Sequence, residues 1–149
     1  MRRNDGGDAV GHPPYRVTDH TADLGLEFYG KDMEELLETA GAALTACMTD
    51  PETVSQKEEH FFSTEGEDRE ELLVNVLREL LYFANGNGFL TKRVIIDHLE
   101  DRHCSGRALG EPFDPDRHIL TLELKAVTYH GVRVTGDSRG LRGQVILDV

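Results

Sequence analysis

Two segments of this chain carry the same helix-start signature, and together they restrict its fold more than any other feature. Asp32 stands three positions before Glu35, the acidic form of a capping pair, and Met33, Leu36, Leu37, Ala40, Ala43, Leu44 and Cys47 follow at helical spacing. An amphipathic helix is predicted there. It should stop at Thr49-Asp50-Pro51, because the residue before a proline avoids the helical region and proline cannot continue the hydrogen-bond ladder. Asp68 and Glu71 repeat the signal ahead of Leu72, Leu73, Val76, Leu77, Leu80, Leu81 and Ala84. This second helix should end in the Asn85-Gly86-Asn87-Gly88 run, whose residues accept the left-handed backbone of a C-terminal cap.

The rest of the chain reads as strands. Leu24, Leu26 and Phe28 alternate with Gly25, Glu27 and Tyr29, the period of a half-buried strand closed by Gly30. Further strands are expected around Phe61 and Phe62, over 90–96, about 103–109, 119–127, 132–134 and 144–149, with Gly, Pro and Asp in the gaps. The fold class is therefore α+β: two amphipathic helices packed on one largely antiparallel, or mixed, β-sheet. The two strand-then-helix halves hint at an internal duplication. Residues 1–14 are polar and glycine-rich, end in Pro13-Pro14 and read as a disordered leader, leaving a single domain over 15–149. At 149 residues the chain can bury a core without disulfide or metal staples.

Charge narrows the partners. Twenty-eight acidic against sixteen basic residues give a net charge of -12, which repels a phosphate backbone, so tight nucleic-acid binding by this chain alone is not expected. That balance suits a hard cation, or a protein partner made basic by its own work on nucleic acid, although solubility alone explains most of the carboxylates. The start of the chain lacks the apolar run of a secretory signal, and no other stretch approaches a membrane span. With two cysteines far apart, Cys47 and Cys104, the expected setting is the reducing cytoplasm.

Three short segments carry candidate chemistry. Thr18-Asp19-His20-Thr21-Ala22-Asp23 places carboxylates, a histidine and hydroxyls in a turn before the first long strand, where a loop on a rigid scaffold can act and where Asp and Thr are also ordinary turn formers. In Gln144-Val145-Ile146-Leu147-Asp148-Val149, alternation sets Val145, Leu147 and Val149 on one face and Gln144, Ile146 and Asp148 on the other. Asp148 beside the terminal carboxylate of Val149 concentrates negative charge at an apolar strand end, which a cation would offset unless the end simply frays into water. Asp23, Asp148 and Val149 together offer the hard oxygen donors that calcium, or magnesium or manganese, takes. Lys125-Ala126-Val127-Thr128-Tyr129-His130 ends a strand with a base, two hydroxyls and an imidazole, suited to acid-base work or to a contact surface. His98 and His103 with Asp97 and Asp101 lack the third His or Cys of a zinc site, and no nucleophile motif or phosphate-cradling loop is present.

The His20-Thr21-Ala22-Asp23 motif followed by an alternating strand, Gly30 and a helix opening Asp32-Met33-Glu34-Glu35-Leu36, the Lys125-to-Gly131 segment and the terminal Val145-to-Val149 run resemble three signatures of the archease family, in order over residues 15–149. The resemblance implies a metal-binding accessory protein, not itself an enzyme, that activates the GTP-dependent tRNA-splicing RNA ligase by promoting its guanylylation and multiple turnover. It implies metal ligands at Asp23, Asp148 and Val149, with His20, Lys125, Tyr129 and His130 as supporting or partner-contact groups. Two other readings stand beside it. One is a stand-alone metal-dependent hydrolase using Asp23 and Asp148 with His20 as base; the other is a chaperone-like adaptor for tRNA-modifying enzymes.

Overall fold

The computed structural model describes residues 14–18 and 23–149. The leader expected over 1–14 therefore lies, apart from Pro14, outside the described residues, as do Asp19, His20, Thr21 and Ala22. The elements run in the order β1 (Tyr15–Thr18), β2 (Asp23–Gly30), α1 (Met33–Met48), β3 (Glu58–Glu65), α2 (Arg69–Asn87), β4 (Phe89–Leu99), β5 (His103–Pro112), β6 (Ala126–Asp137) and β7 (Gly140–Asp148), with a 3-10 turn at Pro51–Thr53.

Both helices start as the capping pairs predict. The Asp32 carboxylate accepts from the Glu35 N–H at 2.9 Å and that of Asp68 from the Glu71 N–H at 2.8 Å. Each N3 glutamate reaches one residue beyond the cap, Glu35 accepting from the N–H of Lys31 at 2.6 Å and Glu71 from that of Glu67. The parallel extends to sequence: Gly30-Lys31-Asp32-Met33-Glu34-Glu35-Leu36-Leu37 and Gly66-Glu67-Asp68-Arg69-Glu70-Glu71-Leu72-Leu73 differ only at their second and fourth positions. Gly30 and Gly66 share one reason to be glycine, since a Cβ on either would collide with the backbone nitrogen of the helix's first inward leucine, Leu36 or Leu72. Helix α1 stops at Thr49 ahead of Pro51, and α2 ends at Gly88, whose φ of 66° is the left-handed cap that the glycine-asparagine run foreshadows.

The α+β class holds, but the strands divide into two sheets where one was expected. The four-stranded sheet has the order β1-β2-β7-β6 and the three-stranded sheet β3-β5-β4. Every pairing among the described residues is antiparallel. Each sheet combines the strand that leads into a helix (β2 or β3) with a hairpin whose second strand is central, so the duplicated start signals head two similarly built halves. Each helix packs on both sheets, α1 on β2 and β4, α2 on β3 and β6. The core forms where these layers meet, with Leu26, Phe28, Leu37, Leu77, Leu124 and Leu147 fully buried. Each helix also supplies a glutamate to an edge strand: Glu38 accepts from the Ile96 N–H of β4 and Glu70 from the Val134 N–H of β6, both at 3.1 Å. These carboxylates satisfy edge donors that would otherwise be open to a neighbouring strand.

Two strand expectations are corrected. Residues 119–125 form no ladder despite their apolar pattern, because their backbone groups serve the helix ends. The Thr121 N–H donates to Met48 O at 2.8 Å, the Thr49 hydroxyl to Ile119 O at 2.9 Å, and the Asn85 amide to Leu124 O at 3.0 Å. The short piece at 132–134 belongs instead to β6, which begins at Ala126. Between Thr128, facing Ile146, and Arg133, facing Gln144, the register shifts and Tyr129–Val132 bulge from the ladder.

Candidate functional site

Strand β2 begins at Asp23 and β7 ends at Asp148, and the antiparallel register sets these two residues directly opposite each other. Directly opposed residues point to the same face, with Cβ atoms typically about 4.5–5.5 Å apart. Leu24 and Leu147, the next pair inward, turn to the helices, so the two carboxylates emerge on the opposite face of the sheet. Ala126 of β6 lies across from Asp148 on the third strand, and the Lys125 N–H donates to Asp148 O at 2.7 Å. Asp23 is half-buried, and Asp148 and Val149 are exposed. Among the described residues neither aspartate forms an ion pair with a lysine or arginine.

Like charges directly opposite each other on neighbouring strands destabilise a sheet. Among the described residues the pair itself offers carboxylate oxygens, donors that suit a hard divalent cation better than zinc. Among the described residues no group of three His, Cys, Asp or Glu side chains converges as a metal cluster. Asp23 and Asp148 thus contribute a pair, and a cation held there would complete its shell from Val149, carbonyls or water.

The supporting residues separate. Lys125 is brought next to Asp148 through its backbone. Tyr129 turns to α2 instead: its hydroxyl donates to Asn75 Oδ1 at 2.6 Å, and the Arg78 guanidinium lies 4.2 Å from the ring centroid while donating to Val127 O. Its part is to fasten the β6 bulge. His130 sits exposed in the same bulge, its carbonyl accepting from the Thr128 hydroxyl. His20 lies outside the described residues. The His98 and His103 rings stand 6.2 Å apart, each with its own partner, Glu100 at 2.7 Å and Ser63 at 2.9 Å, while Arg107 holds Asp97 through two hydrogen bonds.

A buried polar cluster escaped the sequence reading. Glu111, at the end of β5, accepts from Arg117, from the Ser55 N–H at 2.8 Å and from His118 Nε2 at 3.0 Å. The His118 Nδ1 accepts from the Asp114 N–H at 2.9 Å, which leaves the proton on Nε2 for Glu111. Arg117 holds the Glu111 carboxyl well below the usual carboxylate range, against the opposing effect of desolvation, and the Ser55 and His118 donors assist. The cluster ties residues 111–118 to the loop after α1. Burial pushes the thiols of Cys47 and Cys104 up to about 11, so both behave as core hydrophobes.

Comparison with known proteins matches the Archease protein family (MTH1598/TM1083) over residues 15–149. The protein archease of Pyrococcus furiosus is 37% identical over 119 residues, covering 78% of this chain and 84% of its own. That of Methanothermobacter thermautotrophicus is 37% identical over 138 residues, covering 91% and 98%. The solution structure of protein 1598 from Methanobacterium thermoautotrophicum superposes with a TM-score of 0.76 at 34% identity, covering 91% of this chain and 99% of that one.

Proposed function

The chain belongs to the archease family, and from that membership we propose that it serves the GTP-dependent tRNA-splicing RNA ligase as a metal-binding activator, promoting ligase guanylylation and repeated turnover in exon joining. The observation that supports this reading is the facing of Asp23 and Asp148, with Val149 next in sequence, at one end of the four-stranded sheet. Two carboxylates with no basic partner among the described residues form an arrangement whose repulsion a divalent cation relieves, with calcium the first choice and magnesium or manganese the alternatives. A cation held there would supply charge compensation for phosphate oxygens during nucleotidyl transfer.

The chain's own residues do the rest. Asp23 and Asp148 are fixed by the ladder of β2 and β7, so their spacing is set by backbone hydrogen bonds and not by flexible loops. The Lys125 N–H engages the Asp148 carbonyl and orients the strand end. The exposed Lys125 and His130 side chains stand as partner contacts near this end, and His20 is carried as a further candidate by its motif alone. The chain performs no transfer of its own in this reading; it acts on the ligase.

The test is the rate of ligase guanylylation by GTP with catalytic amounts of wild type, Asp23→Ala or Asp148→Ala, each variant checked for a cooperative thermal transition. Acceleration by wild type that disappears in both folded variants is the expected result. No acceleration by wild type of an active cognate ligase would sink the activator role, and full acceleration by both variants would remove the carboxylate pair from it.

A further inference from the structure

A second region of the same sheet has the opposite electrostatic character. At the end away from Asp23 and Asp148, a cleft of about 890 Å³ opens between β1, β2, the turn into α1 and the β6–β7 hairpin. Its lining includes Arg16, Lys31, Arg139 and Arg142 with Tyr29. In a chain of net charge -12 this gathering of cations is not background. Three carboxylates also line the cleft, yet each is already engaged. Glu27, buried, meets Arg16 at 3.5 Å and the Tyr29 hydroxyl at 3.3 Å. Glu35 accepts from the Lys31 N–H at 2.6 Å and Asp137 from the Arg139 N–H at 2.7 Å. Among the described residues, none of the exposed Lys31, Arg139 and Arg142 side chains forms an ion pair.

Register shows why these groups act together. Tyr29 faces Arg142 across β2 and β7, and in the next row Arg16, Glu27, Gln144 and Arg133 follow one another across all four strands. Arg133 therefore extends the basic groups along the same outer face, which is opposite the face that buries Leu26 and Phe28 against the helices. Guanidinium groups match phosphate oxygens with paired hydrogen bonds, and a partly exposed tyrosine ring offers a surface on which a base can stack.

We propose that this cleft binds nucleotide phosphates, with Lys31, Arg139 and Arg142 on the phosphate oxygens and Tyr29 against the base, supplied either by an RNA strand or by a free nucleotide. The site stands apart from the carboxylate pair. From Arg142 to Asp148, β7 spans about 20 Å at about 3.3 Å per residue. A strand lying in the cleft could extend along the basic face towards the acidic end without any contact between the two sites. The overall negative charge opposes long-range attraction, so binding is local and salt-sensitive, consistent with the absence of tight nucleic-acid binding expected from composition.

The full chain, without ligase or added metal, is titrated against a short fluorescent oligoribonucleotide at low salt, with GTP as competitor, so the result is independent of any activator role. Arg142→Gln is expected to weaken binding about tenfold, the loss of one charge-assisted pair, and for a strand to lower the slope of log affinity against log salt by about 0.7. Lys31→Gln should behave alike, and Arg93→Gln, which removes an exposed arginine of β4, should bind as wild type does. Binding that GTP does not displace identifies the strand as the source; displacement by GTP, with the same variant pattern, identifies the nucleotide. No binding of either by wild type, or equal weakening in Arg93→Gln, overturns the site.

Discussion

Removing the Glu111 carboxylate is the most quantitative test of how the loops at the carboxylate-bearing end of this fold are held. In Glu111→Ala the Ser55 N–H loses its acceptor, and His118, fully buried, keeps only Thr53 O at 3.2 Å as a partner for its Nε2 proton. A buried donor left unsatisfied costs about 1–3 kcal/mol. Taking about 2 for Ser55 and about 1 for His118, which retains a long contact, the loss is about 3 kcal/mol. Arg117 adds little, since its side chain is 38% exposed and can turn to water. For a domain of this length about 3 kcal/mol lowers Tm by about 6–12 °C, measurable by circular dichroism at pH 7. The same carboxyl titrates well below its unfolded value of 4.5, so its stabilisation is complete above that pH and is lost as pH falls below it. Glu111→Gln should therefore show a flatter acid limb than wild type. A Tm change in Glu111→Ala of less than about 2 °C, or an unchanged acid limb in Glu111→Gln, would refute the closed network.

Three further outcomes follow from the geometry. Asp148→Asn removes a charge opposite Asp23 and should raise stability in chelator by about 0.2–1 kcal/mol in urea titrations, while abolishing the calcium-dependent rise in Tm expected of wild type. Gly66→Ala places a Cβ against the Leu72 backbone nitrogen and should cost about 1–3 kcal/mol by denaturant midpoint, with Gly30→Ala at Leu36 behaving the same way. With thiols pushed up to about 11, Cys47 and Cys104 should react with maleimide at pH 8 far more slowly in the folded protein than after unfolding, followed by mass spectrometry.

Both helices were legible in the sequence because everything that makes them is local. The Asp32 and Asp68 caps, the 3.6-residue apolar period, the stop at Pro51 and the left-handed Gly88 each act within a few residues. The face of Asp148 was legible for the same reason, since alternation along one strand sets it. Residues 119–125 were misread because their pattern is that of a strand while their partners, Met48, Thr49 and Asn85, sit at helix ends remote in sequence. No local signal distinguishes an extended segment that pairs with a strand from one that caps helices.

Strand pairing is where local reasoning ends. That the strands form two sheets, that Asp23 meets Asp148 from the other end of the chain, and that Arg16, Lys31, Arg139 and Arg142 share one cleft are consequences of the β2–β7 and β6–β7 registers. The Glu111 cluster likewise needs Ser55, Arg117 and His118 delivered by separate loops. Capping, periodicity and net charge are properties of neighbouring residues and of composition, so the chain carries them in any conformation. Opposed charges, shared clefts and buried carboxylates exist only once long-range backbone hydrogen bonds and a common core bring distant residues within a few ångströms of one another.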